Sequence, residues 1–167
     1  MSDLVILAML LQGPKHGYQL KQEAAHALGQ DVLHNNIVYP LLRRFTGKGW
    51  VTKKVVPGER GQKRHQYALT KRGREALIQM LSDYSEADAR SAQGFLTRVG
   101  LFQLLPPEAR QRILDTRAAY LERTAQHLAQ IPQHFSLSAF PRATTQFLQK
   151  QIEAELSFIQ QLRKISK

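Results

Sequence analysis

The sequence contains no cysteine. A disulfide framework, a thiol nucleophile and a thiolate-bound metal are therefore excluded. No part of the chain approaches the roughly 18 consecutive apolar residues of a membrane-spanning helix. The apolar start from Leu4 to Leu11 follows Asp3 and has neither the basic segment nor the small-residue cleavage site of a signal peptide. We therefore expect a soluble, cytoplasmic protein with no membrane partner.

Residue patterns that support catalysis or metal binding are also lacking. No two of the six histidines are four residues apart, the spacing that places two ligands on one face of a helix. The chain has no glycine loop for phosphate binding and no Gly-x-Ser-x-Gly motif around a nucleophilic serine. We expect a protein that is not an enzyme, with no catalytic residue, no metal site and no cofactor.

Acidic residues are scarce, with 13 Asp and Glu against 24 Lys and Arg and a formal net charge of +11. Much of the excess lies between residues 43 and 74, where eleven basic residues are accompanied by Glu59 alone. Such a block neutralises DNA phosphates and releases their counterions. A solvated basic face is the competing interpretation, and the charge by itself does not decide between the two.

Three short helices are predicted in the first 50 residues. The first runs from Ser2 to the Gly13-Pro14 pair, because proline cannot continue a helix. The second is predicted from Lys15 to Leu28. The third begins at Asn35 or Asn36, both good N-caps, and ends near Gly47.

A hairpin and a fourth helix follow. The segment from Trp50 to Val56 is rich in strand formers, residues 57–61 are typical of a turn, and His65, Tyr67 and Leu69 alternate as a second strand. Thr70 then caps a helix from Lys71 to Tyr84. This order of elements predicts a winged helix-turn-helix, in which the helix from Asn36 to Lys48 enters the major groove and the basic hairpin contacts an adjacent groove or phosphate strand.

Four ordered sequence blocks carry a family resemblance. They are the Leu4–Leu11 run followed by Gly13-Pro14-Lys15-His16-Gly17-Tyr18, then Val38-Tyr39-Pro40-Leu41-Leu42-Arg43-Arg44-Phe45, then Gly49-Trp50-Val51, and last Tyr67-Ala68-Leu69-Thr70-Lys71-Arg72-Gly73. The chain resembles the PadR family, the phenolic-acid decarboxylase repressors, from Leu4 to about Leu81.

The resemblance implies that Tyr39 and Pro40 lie in the recognition helix, with the tyrosine contacting the DNA backbone. We expect the proline in the first turn of that helix, where its missing N–H costs little. Asn36 and Ile37 depart from the family pattern, so base preferences do not carry over. The predicted DNA-binding residues are Asn35, Asn36, Ile37, Tyr39, Arg43, Arg44, Lys48, Arg60, Lys63 and Arg64.

Aromatic residues near these blocks allow two interpretations. His16 and Tyr18 either line a ligand pocket or pack between the first two helices, and helical periodicity favours packing. Trp50 either stacks on an aromatic effector or is partly buried in the core, which is the usual place of a lone tryptophan.

The C-terminal half is predicted to be helical. One helix ends before Pro106-Pro107, and the apolar residues from Leu114 to Leu128 then recur in steps of three and four that face a partner helix. A break containing Pro132 and Pro141 precedes a final amphipathic helix. These apolar stripes either form a dimer interface, as the resemblance and operator symmetry imply, or complete a core within the chain. The predicted dimerisation residues are Leu114, Leu121, Leu128, Leu148, Ile152, Leu156, Ile159 and Leu162.

The sequence therefore predicts a mainly α protein with a small β-hairpin. Residues 1–84 form a winged helix-turn-helix and residues 85–167 an α-helical dimerisation region. The leading hypothesis is a homodimeric repressor that binds a palindromic operator in double-stranded DNA and responds to a small-molecule effector or another signal, this last feature being implied by the resemblance. Two alternatives stay open: a ligand-independent or architectural DNA-binding protein, and a winged helix whose basic face binds an acidic protein.

Overall fold

The structure, a computed structural model, describes residues 2–28, 35–57, 62–130 and 138–166, with side chains for all of these except 26–28 and 35–36. Contacts divide the chain into two units, Met1–Leu81 and Ser82–Lys167, where the sequence prediction put the boundary at residues 84 and 85. The mainly α fold class with a small sheet is confirmed. None of the described helices is both long and apolar enough to span a membrane.

The first unit begins with helix α1 (Ser2–Met9), which continues as a 3-10 turn over Leu10–Gln12. Gly13 ends the turn with a φ of 126°, a backbone conformation that side chains disfavour. Pro14 follows, so the predicted end of the first helix is confirmed.

Helix α2 (Gly17–Leu28) begins two residues later than predicted. Lys15–His16 form a short strand, β1, that pairs antiparallel with β3 (Lys63–Leu69) through Lys15 opposite Tyr67. Strand β2 (Val51–Pro57) pairs with the other edge of β3, which gives the sheet order β1-β3-β2. The prediction of a helix from Lys15 was wrong. Two residues are too few to show the spacing of apolar residues that distinguishes a strand from a helix, and here the pairing with β3 sets their conformation.

Helix α3 (Asn35–Gly47) has the predicted bounds, but its proline lies deeper than expected. Pro40 follows Asn35 by five residues, beyond the first turn, so its missing N–H leaves one intrahelical hydrogen bond unmade. The placement of Pro40 in the first turn was therefore wrong.

A tight junction joins α3, the sheet and helix α4 (Lys71–Ser82). The Thr70 hydroxyl donates to the Gly49 carbonyl at 2.8 Å and accepts from the Gly73 backbone N–H at 2.9 Å, which confirms Thr70 as the cap of α4. Gly49 takes a left-handed φ of 69° where α3 turns into the sheet. Fully buried side chains from all four helices form the core of this unit, among them Ile6, Leu7, Leu20, Leu42, Phe45, Leu77 and Leu81.

The second unit contains helices α5 (Ala92–Val99), α6 (Pro107–Ala129) and α7 (Ala139–Ile165). The Ser91 hydroxyl caps α5 by accepting from the Gly94 N–H at 3.0 Å. Pro141 lies in the first turn of α7, where a proline costs little, so its assignment to a helix break was wrong; Pro132 lies outside the described residues.

A buried ion pair joins α6 to α7. Arg117, with 4% of its side chain exposed, donates from Nε and Nη2 to the two carboxylate oxygens of Glu155, each at 2.7 Å. It also donates to the Ala89 carbonyl, and its guanidinium lies 5.8 Å and 5.3 Å from the ring centroids of Phe95 and Tyr120. One arginine thus ties both long helices to the segment that precedes α5.

Candidate nucleic-acid interface

Helix α3 has one buried side and one exposed side that carries basic residues. Val38, Leu42 and Phe45 are fully buried and recur in steps of three and four, which fixes this side against the core. On the other side Arg43 is exposed and Tyr39 retains 44% of its surface. A helix held in this way presents a tyrosine and an arginine outward, as a helix that enters a DNA groove must.

Arg43 and Arg44, although adjacent, are in different surroundings. The Arg44 guanidinium pairs with the Asp3 carboxylate and lies 5.5 Å from the ring centroid of Phe45. A phosphate must compete with Asp3 for this arginine, whereas no ion pair holds Arg43 within the part of the chain that the structure describes. Arg43 is therefore the more available cation of the two.

The end of α3 carries a further cation beside the single tryptophan. Lys48 Nζ lies 4.4 Å from the ring centroid of Trp50, whose ring is 5.7 Å from that of Phe45. Trp50 is half-buried, in agreement with the interpretation of this residue as core or partly buried.

The hairpin carries exposed basic residues on both strands. Lys63 and Arg64 on β3 are exposed, as are Lys53 and Lys54 on β2. Consecutive residues of a strand point to opposite faces, so the uninterrupted exposure of residues 52–55 shows that both faces of β2 are uncovered there. Lys53 and Lys54 were missed as candidate contacts, although their charge within a predicted strand was a usable signal.

A cavity of about 540 Å³ lies between α2, α3 and β3. Tyr39 of α3 and Arg64 of β3 both line it, so the outward side of the recognition helix and the basic hairpin open onto the same space. This shared opening is the geometry that a joint DNA contact requires. The lining residues are His16, Gly17, Tyr18, Gln19, Gln22, Tyr39, Arg64, His65 and Tyr67.

Close packing at Gly17 positions Tyr39. A Cβ at Gly17 would lie 2.9 Å from Tyr39 Cε1 and 3.4 Å from Tyr67 Cε2, so only glycine allows both rings to approach. Burial, and then the neighbouring Tyr39, raises the pKa of the Tyr67 hydroxyl above its ordinary value.

His16 and Tyr18 line this cavity rather than a helix interface. His16 Nδ1 lies 3.3 Å from the His65 carbonyl, and the Tyr18 hydroxyl accepts from Gln22 Nε2 at 2.9 Å. Tyr18 is 61% exposed, so the interpretation that it packs between the first two helices was wrong. Tyr18 precedes the buried Leu20 by two residues and the buried Ala24 by six, and these separations place it on a different side of α2.

The structure describes only some of the remaining residues that were predicted to bind DNA. Ile37 is half-buried. The side chains of Asn35 and Asn36, and Arg60 as a whole, lie outside the described residues. The proposed contacts of these residues with DNA stay predictions.

The predicted dimerisation residues differ in how far their own chain buries them. Four of them are buried by their own chain, three are half-buried, and Leu148 is 39% exposed. The buried four are Leu114, Leu121, Ile152 and Ile159; the half-buried three are Leu128, Leu156 and Leu162. Half of the predicted residues are therefore buried within this chain, in which α6 packs on α7, while α7 exposes other apolar side chains, Phe140, Phe147 and Ile165. The role of the predicted residues in dimerisation stays a prediction.

Among the described residues no group of three or more His, Asp or Glu side chains is arranged to hold a metal ion.

Comparison with known proteins identifies the N-terminal unit. Residues 6–79 match the transcriptional regulator PadR-like family. No match is found among curated proteins.

Solved structures with similar folds include three regulators. A transcriptional regulator from Thermoplasma acidophilum is 29% identical, over 47% of this chain and 74% of that one, with a TM-score of 0.44. A PadR-like regulator from Bacillus cereus is 26% identical, over 46% of this chain and 74% of that one, with a TM-score of 0.41. Bacillus subtilis PadR in complex with operator DNA is 16% identical, over 99% of this chain and 98% of that one, with a TM-score of 0.48. Residues 6–79, which contain α3 and the basic hairpin, thus form a PadR-like domain, and the protein is a DNA-binding transcriptional regulator.

Proposed function

We propose that the protein is a homodimeric repressor that binds a palindromic operator and is released from it by a small-molecule signal. The observation that carries the DNA-binding part is the cavity shared by Tyr39 and Arg64, because it joins the exposed side of α3 to the hairpin. In this arrangement α3 enters the major groove and the hairpin follows the phosphate backbone.

The two elements have different tasks. Tyr39 and Arg43 on α3 stand where they can reach base edges or the flanking phosphates. Lys53, Lys63 and Arg64 lie on a hairpin with exposed faces and supply charge without reading sequence. Specificity thus belongs to α3 and much of the salt-dependent affinity to the hairpin.

Exposed apolar side chains on α7 support self-association. Phe140 is 85% exposed, and Phe147 and Leu148 follow it at seven and eight residues, the separations that bring side chains to one face of a helix. Such a stripe on a helix that already packs against α6 offers a second copy an apolar surface to cover.

Selection of bound DNA from a random pool by the full chain tests this proposal. We expect enrichment of a two-fold symmetric sequence with half-sites about one helical turn apart, because a symmetric dimer presents two copies of α3. Enrichment of a single half-site would contradict the dimer. No enrichment would favour an architectural role, or, if DNA is not retained at all, a winged helix that binds an acidic protein.

Arg64→Ala tests the role of the hairpin. We expect binding to all DNA sequences to weaken to a similar degree and the salt dependence to fall by about one phosphate equivalent, because a phosphate contact carries no base information. Titrations of operator and unrelated DNA at several salt concentrations measure both effects. Lys150→Ala, an exposed cation on α7, is the matched control and should change neither. An unchanged salt slope in Arg64→Ala would remove the hairpin from the interface.

A further inference from the structure

A second cavity, of about 360 Å³, lies within the C-terminal unit between the segment before α5 and helix α6. The α6 residues that line it lie three, four and seven residues after Tyr120, so they form one face of the helix. The opposite wall comes from Glu86 and Arg90. We refer to this cavity as the α6 groove; it is lined by Glu86, Arg90, Tyr120, Arg123, Thr124 and His127.

The α6 groove contains more basic groups than acidic partners. Arg123 lies 3.6 Å from Glu86, but both side chains are more than half exposed, so water screens this pair. Within the described ranges no hydrogen bond or ion pair engages the side chain of Arg90 or of His127. The lining of the groove thus contains two arginines and a histidine but a single carboxylate, that of Glu86.

The carboxylate of Asp88, two residues before Arg90 in the sequence, is already engaged. Asp88 accepts from the Ser85 hydroxyl at 2.6 Å and lies 3.5 Å from Arg98 Nη2. The hydrogen bond from the Ser85 hydroxyl, above all, lowers the pKa of Asp88. Among the described residues, Arg90 therefore has no carboxylate partner.

Two contacts of Arg117 connect the lining of the α6 groove to the ion pair between α6 and α7. The Tyr120 ring lies 5.3 Å from the Arg117 guanidinium, and Arg117 donates to the carbonyl of Ala89, the neighbour of Arg90. Both walls of the groove are therefore attached to the one arginine that pairs with Glu155 of α7. A group that draws the walls together acts on the residue that couples the two long helices.

We propose that the α6 groove binds a small carboxylate or phosphate anion between Arg90 and Arg123, with His127 as an additional donor. Arg123 exchanges its screened contact with Glu86 for a charge-assisted hydrogen bond to the anion. The proposal deepens the regulation described above and, for its effect on DNA binding, rests on the proposed function.

Calorimetric titration of the full chain with benzoate, inorganic phosphate and the uncharged benzamide tests the site. We expect saturable binding of benzoate, phosphate or both, and none of benzamide; the anion that binds identifies the class.

Arg90→Gln should weaken binding roughly tenfold or more, because it removes a charged donor. Glu86→Gln should strengthen binding, because it removes the competing carboxylate. Arg112→Gln, on the same helix but outside the α6 groove, is the matched control and should bind like the parent.

Three results would overturn the site: no saturable binding, binding of benzamide equal to that of benzoate, or an equal loss in Arg112→Gln and Arg90→Gln, which would show attraction by net charge alone. DNA affinity measured with and without the anion separates this proposal from the proposed function. Anion binding that leaves DNA affinity unchanged keeps the site and overturns the regulation. A parent protein that binds the anion but no DNA overturns the proposed function and supports the site.

Discussion

Replacing Glu155 by glutamine is expected to lower the free energy of unfolding of the C-terminal unit by about 3 kcal/mol, because it leaves the Arg117 charge buried without a counter-charge. Only 4% of the Arg117 side chain and 20% of the Glu155 side chain are exposed, so water compensates poorly for the lost carboxylate. Both hydrogen bonds between the two side chains are 2.7 Å long and parallel, which makes the pair strong once formed. Urea unfolding followed by far-UV circular dichroism measures the change, at a fixed protein concentration because self-association adds to apparent stability.

A second ion pair between the same helices provides the control. Arg163 of α7 lies 2.6 Å from Asp115 of α6, but the Asp115 side chain is 53% exposed. Asp115→Asn should therefore cost less than about 1 kcal/mol. The double replacement Arg117→Met with Glu155→Leu should recover much of the loss, because no charge is then left buried. Equal effects of Glu155→Gln and Asp115→Asn would show that solvent screens the inner pair after all.

The elements of the N-terminal unit could be predicted because their boundaries are local. Thr70 caps α4 through contacts within three residues, and Gly13 ends the first helical segment in a conformation that the residue type alone suggests. Strand β1 could not be predicted, since Lys15 and His16 are extended only because β3 lies beside them. The position of Pro40 within α3 depended on where the helix begins, and the ends of a helix are the least certain part of a prediction from sequence.

The candidate site was predictable in charge but not in shape. The basic residues of α3 and the hairpin are exposed, as the excess charge suggested. The cavity that joins them depends on three tyrosines from separate elements, Tyr18, Tyr39 and Tyr67, and a sequence gives no distance between them.

The C-terminal half shows the same limit. The stepped apolar residues from Leu114 on α6 indicated packing along the length of the helix, and Leu114 and Leu121 are buried within their own chain, in which α6 packs on α7. Arg117 would be taken for a solvated residue from sequence alone, because the carboxylate that allows its burial comes 38 residues later.

Gly73→Ala is expected to destabilise the N-terminal unit by about 3 kcal/mol. Within a helix this substitution usually stabilises, since alanine has less conformational entropy to lose. Here an added Cβ would lie 2.0 Å from the Trp50 carbonyl oxygen and 2.9 Å from Leu69 Cδ1. The carbonyl belongs to the backbone and accepts the Thr70 N–H at 3.0 Å, so it cannot move without disturbing the junction between α3, the sheet and α4. Strain at this junction outweighs the helix preference.

Trp50 provides the measurement, because it is the single tryptophan and its backbone would receive the clash. Urea unfolding followed by its fluorescence gives the stability of this unit directly. Gly47→Ala is the matched control: Gly47 ends α3, and an added Cβ there meets no atom within 4 Å, so stability should be unchanged or slightly higher. Gly73→Ala should also weaken DNA binding, since the junction fixes α3 relative to the hairpin. A Gly73→Ala variant as stable as Gly47→Ala would show that α4 can shift away from Trp50, and that the junction does not hold the recognition helix in place.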